Sequence, residues 1–127
     1  MTIDERIAKA QRDCERAFEG VEVGAPVMHC HHERLAELLT EPPQNRIDYI
    51  VVEKAKQETP EQIITRLERF RPVDVSKLQT WAAYDKARAA WDKAWAAVVA
   101  EITARHDEFC PGCPWDGETI FPEIDDD

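Results

Sequence analysis

From Val75 to about Phe109 the chain carries neither Gly nor Pro, and no other stretch restricts its folding as much. Within it WAAYDKA (81–87), RAAWDKA (88–94) and WAAVVAE (95–101) align at a period of seven. Tyr84, Trp91 and Val98 share one heptad position, and Trp81, Arg88, Trp95 and Ile102 share another. Asp85, Lys86, Asp92 and Lys93 fall on outward positions. The pattern predicts one long helix over about 75–109 with an aromatic seam of coiled-coil type. About 33 residues at the helical rise span roughly 50 Å, whereas a compact domain of this size is roughly 36 Å across. The helix must therefore overhang its domain or kink. A seam that overhangs needs cover, from a second copy or a protein partner. The competing expectation is that the N-terminal helices wrap it and the aromatics are core.

The rest of the chain also reads mostly as helix. Ile3, Ile7, Ala10, Cys14, Ala17 and Phe18 recur at three- and four-residue steps, which predicts an amphipathic helix over 3–19. Cys14 sits in that apolar stripe and reads as a small buried hydrophobe. Gly20, Gly24 and Pro26 end the helix. The run from Met28 to Leu39 reads as a short helix stopped by Pro42-Pro43. Helical spacing resumes over 45–57, although Tyr49–Val52 also suits a short strand. Thr59-Pro60-Glu61-Gln62 carries a capping-box start, and Arg71-Pro72 ends the helix that follows. The expected fold is mostly α: a small helical bundle with one long C-terminal helix, forming a single domain over 1–122, with an acidic tail at 123–127.

The strongest chemical signal is Cys110-Pro111-Gly112-Cys113-Pro114. Two thiols three positions apart on a tight turn can face one ion. A thioredoxin-like redox pair places its second Cys inside a helix, whereas here Pro114 follows Cys113 directly. A structural zinc ion takes four ligands, so two more must come from elsewhere. The cluster His29-Cys30-His31-His32 is the obvious source. Cys30 ranks first, because thiolate suits an ion already held by thiolates. For the fourth ligand His32 and His106 stand close together, His106 lying four residues before Cys110; His29 and His31 follow. A zinc ion held by Cys30, Cys110, Cys113 and His32 or His106 would close a loop of about 80 residues, a large constraint on the unfolded chain. The competing expectation is a solvent-facing histidine cluster with no ion. With only three protein ligands, Glu33 becomes a candidate base in a hydrolase arrangement, but no HExxH spacing is present.

Charge narrows the partners. The net charge of -10 is uneven: residues 116–127 carry six acids and no Lys or Arg, leaving a body with 20 acidic and 16 basic groups. Such a body lacks the clustered cations that phosphate binding requires. A zinc-containing nucleic-acid module using Arg66, Arg69 and Arg71 is thus a lesser expectation. No apolar run approaches the roughly 18 residues of a membrane span, and the polar N-terminus shows no export signal. Four cysteines without such a signal predict a reducing, cytoplasmic setting.

The HCHHE segment, RIDYI, RLERFRPV, the repeated W/Y-D-K-A heptad and the closing CPGCPWDGETIFP together resemble small proteins of bacteriophage and prophage regions. The resemblance covers most of residues 29–122. It implies a bacterial or phage-infected cytoplasm and brings no activity, catalytic residue or substrate with it. Small phage accessory proteins often bind and inhibit host machinery, including defence systems. The resulting expectation is a non-enzymatic, zinc-stabilised interaction module. Its working face comprises Trp81, Tyr84, Arg88, Trp91 and Trp95, residue types that dominate binding hot spots.

Overall fold

Thr2 caps the start of the first helix. Its hydroxyl oxygen accepts a hydrogen bond from the Glu5 amide, and Asp4 and Glu5 add negative charge to the first turn. The computed structural model describes residues 1–121, so the acidic tail expected at 123–127 lies outside the described residues. The chain divides into two compact units, Met1–Leu78 and one beginning at Gln79.

The first unit contains α1 (Ile3–Ala17), β1 (Pro26–Met28), β2 (Ala36–Leu38), α2 (Pro43–Val52), α3 (Pro60–Arg69) and β3 (Arg71–Pro72), with short 3-10 turns at Lys54–Lys56 and Val75–Lys77. Helix α1 packs mainly on α3. Their apolar stripes meet around Cys14, Phe18, Ile63, Leu67 and Phe70, all buried, with the Phe18 and Phe70 rings 4.4 Å apart between centroids. The Cys14 thiol donates to the Phe70 carbonyl oxygen at 3.4 Å, and burial pushes its pKa up to about 11. Cys14 is thus a core residue, as its place in the stripe predicts. The capping box at α3 is complete: the Gln62 amide donates to the Thr59 hydroxyl at 3.2 Å, and the Thr59 amide donates to the Gln62 side chain at 2.9 Å. Residues Tyr49–Val52 are helical. Ile47 and Ile50 face the core, while Tyr49 and Val52 face solvent.

The segment 26–39 departs from the helical expectation. It forms an antiparallel hairpin, with Pro26 opposite Leu38, Val27 opposite Glu37 and Met28 opposite Ala36. Residues Arg71-Pro72 end α3 by adding a third strand on the other edge of β1, giving the order β2-β1-β3. On one helix Leu35, Leu38 and Leu39 would share a buried face. Instead Leu35 is 71% exposed and Leu39 4%. Burial of Val27 between two neighbouring strands outweighs the local spacing, which is a tertiary override of a weak local preference.

The second unit contains α4 (Trp81–Ala104) and α5 (His106–Phe109). The predicted continuous helix over 75–109 is therefore divided. At its start, the Asp74 side chain accepts from the Ser76 amide (3.0 Å) and hydroxyl (2.6 Å), a local turn that competes with helix. Near its end, the Thr103 hydroxyl donates back to the Val99 carbonyl at 2.7 Å. Such back-bonding bends helices, and Arg105 leaves helical geometry at φ -113°, ψ 21°. The 24 residues of α4 span about 36 Å. Ten of them are Ala, the strongest helix former, and none of the 24 is buried. Among the described residues no helix is long and apolar enough to cross a membrane.

Candidate metal centre

His106, Cys110 and Cys113 come together in the second unit, their ligand atoms all within 4.8 Å of one another. The local sequence accounts for this. The single turn of α5 sets His106 and Cys110 four residues apart, and the Cys110 amide donates to the His106 carbonyl at 2.8 Å. The chain then reverses, with the Cys113 amide donating to the Cys110 carbonyl at 3.2 Å. Gly112 holds φ 72° at this reversal, a conformation that a side chain would strain. Hydrogen bonding to Cys113, then desolvation, raises the Cys110 thiol pKa, because one proton between two sulfurs is held more tightly than one on an isolated thiol.

Beyond the knuckle the chain folds back on itself. The Asp116 carboxylate accepts from the Glu118 and Thr119 amides, both at 2.9 Å, and those bonds hold its pKa below the usual carboxylate value. The turn helps set Trp115 and Ile120 beside Ile102, His106 and Cys113 around a cavity of about 300 Å³. Two thiolates and an imidazole are a donor set that zinc favours. Ligand atoms around a tetrahedral zinc lie about 3.3–3.8 Å apart, so modest side-chain rotation within the observed spread would bring these three onto one ion.

The first unit holds a second group of metal-ligand type, Cys30, His31 and Glu37, again within 4.8 Å of one another. Cys30 is buried, and burial followed by the Glu37 charge pushes its thiol pKa up. The Glu37 carboxylate lies 2.7 Å from His31 Nδ1 and 3.6 Å from the Arg34 guanidinium. Glu37 was not among the sequence candidates. Its signal is register: it faces Val27 across the hairpin, which returns it to the loop carrying Cys30 and His31. That proximity cannot be seen while 28–39 is read as helix.

The remaining candidates have other partners. His32 Nε2 lies 3.2 Å from Glu33, and its Nδ1 lies 3.4 Å from Arg66 Nη2. His29 takes a left-handed backbone, φ 54°, where its amide donates to the Leu35 carbonyl at 3.1 Å. Glu33 belongs to neither ligand group. Arg66 is engaged by Glu58, whose carboxyl is held low by that contact, and Arg71 donates to the Leu67 and Phe70 carbonyls at 2.7 and 2.8 Å. Two of the three arginines proposed for phosphate contact thus have intramolecular work.

The expected working face lies on α4. Trp91 and Trp95 are 62% and 51% exposed and stack with ring planes 5° apart and centroids 6.0 Å apart. Trp81 and Tyr84 lie 5.1 Å apart, and Arg88 is 3.8 Å from Asp85. None of these five side chains is buried in a core. Comparison with protein families, with curated protein sequences and with solved structures finds no match to this chain.

Proposed function

We propose that the chain is a non-enzymatic interaction protein, acting as a phage-type regulator or inhibitor of a host complex, with a structural zinc ion for which His106, Cys110 and Cys113 supply three of the four ligands. The observation that carries this reading is the exposed Trp91–Trp95 stack on a helix that buries none of its own residues. A contiguous aromatic face of that kind is characteristic of a protein-binding surface. Heptad spacing suits docking against a helix or groove of another protein, with Trp81, Tyr84, Arg88, Trp91 and Trp95 as its anchors. Zinc at the knuckle would hold residues 110–121 in their folded-back path. The cytoplasm would keep all four cysteines, which form no disulfide here, as thiols.

The test compares the zinc-loaded chain with Trp91→Ala/Trp95→Ala. Sedimentation first establishes whether the chain associates with itself. Crosslinking in the native host then asks whether a defined protein is retained by the parent chain and lost with the double variant. Loss of a defined complex, with helical content unchanged, supports the reading. A monomer whose crosslinked partners are identical with and without the two tryptophans overturns it. Cys110→Ser/Cys113→Ser should abolish zinc binding at the knuckle and raise amide exchange across 106–121. Unchanged exchange would remove the ion from the proposal.

A further inference from the structure

We infer that Cys30, His31 and Glu37 form a second divalent-metal site, filled independently of the knuckle at Cys110 and Cys113. Thiolate, imidazole and carboxylate make a mixed donor set suited to zinc and neighbouring borderline ions, and the three ligand atoms already lie within 4.8 Å of one another. They are held by different parts of the fold. Glu37 sits at the middle of β2, in register with Val27. The backbone of Cys30 is fixed from α2, where Arg46 Nε donates to the Cys30 carbonyl at 2.7 Å. The loop between them is closed at its base by the His29–Leu35 hydrogen bond. The three donors therefore do not have to be gathered from a flexible segment, which lowers the ordering cost of binding an ion.

The hydrogen bond between His31 and Glu37 marks where the ion would enter. His31 Nδ1 and the Glu37 carboxylate stand 2.7 Å apart, so a divalent cation can take the place of their hydrogen bond and be held by both. The group also borders a cavity of about 480 Å³ whose wall includes Asn45, Arg46 and Tyr49, and His31 and Glu37 are reachable from solvent through it. The same three residue types could instead suggest a Cys-His-Glu nucleophilic triad. Burial of the Cys30 side chain argues against that, because reactive cysteines are partly exposed thiolates.

The experiment counts ions on the full chain. Zinc is measured by elemental analysis, and Co²⁺ substitution is read through its thiolate charge-transfer absorption. The parent should bind two ions and Cys110→Ser/Cys113→Ser should bind one, with a spectrum of single-thiolate character. In that knuckle-free background, His31→Ala should abolish the remaining ion, and Glu37→Gln, which removes a charged ligand, should weaken it by at least the roughly 10- to 100-fold that loss of an outer-shell partner costs. Both positions are less buried than Cys30, so these variants spare the core, and circular dichroism verifies that each is folded. The inference is overturned if the knuckle-free chain binds no ion, or if its ion survives His31→Ala unchanged. It is also overturned if the parent binds a single ion that either set of changes removes, since that means one shared site. A parent with one ion that survives loss of the knuckle but not His31→Ala would support this site and remove the zinc from the proposed function.

Discussion

The two units solve the problem of staying folded in different ways. The unit Met1–Leu78 gathers the buried apolar residues, from Ala10 on α1 to Phe70 at the end of α3. The unit beginning at Gln79 buries none among its described residues. The first is held by water leaving apolar surface, a long-range effect that needs several elements at once. The helix of the second is held by intrinsic preference and local pairs: abundant Ala, the Trp91–Trp95 stack, and Arg105 between Glu101 and Glu108. The exposed tryptophans of α4 are free of core duty. An apolar residue of the first unit is not, because removing it from the core would cost the fold.

This contrast can be broken by mutation. The largest effect is expected from Phe70→Ala, which empties the centre of the first unit and should cost roughly 3–5 kcal/mol of stability in denaturant titration. Amide exchange of α4 should be unmoved by it; a matching loss of protection there would show that the helix depends on the core after all.

The next effect is alkaline. Cys14 is raised from 9.0 to about 11 by burial in the folded chain. A raised thiol pKa means that the unfolded state gives up its proton first. Stability is therefore full below pH 9 and falls as pH climbs towards 11, by on the order of 2 kcal/mol. Cys14→Ser, whose hydroxyl can still donate to the Phe70 carbonyl, should flatten that slope in thermal melts, and a slope that persists would assign the titration to another group.

Smaller changes probe local structure. Thr59→Ala removes half of the capping box and should cost about 1 kcal/mol, read as a lower denaturation midpoint of the first unit. Ala90→Gly on α4 should cost about 0.8–1 kcal/mol of helix stability, visible as faster amide exchange in α4 with the first unit's midpoint unchanged. An effect much larger than this would mean that the Ala-rich face is packed rather than open.

Features governed by neighbours in the chain were legible from residue order. The Thr59 start, the stripe through Ala10 and Cys14, the helical character of α4 and the knuckle at Cys110 and Cys113 all follow from interactions within a few residues. His106 joined the knuckle for the same reason, since one helical turn links it to Cys110. The hairpin at 26–38 was not legible, because its strands are too short to show alternation and exist only through pairing with each other and with Arg71-Pro72. Glu37 was missed with it, because the register that sets it beside Cys30 and His31 exists only once the hairpin forms.

Local chemistry alone was enough to specify where α3 begins and that Cys110 and Cys113 can face one ion, because capping, propensity and C-x-x-C spacing act over one or two turns. Which of those residues stand together, and which aromatics stay uncovered, was settled by folding in three dimensions. Strand pairing and core burial join positions far apart in the chain, and a one-dimensional pattern carries no record of that proximity.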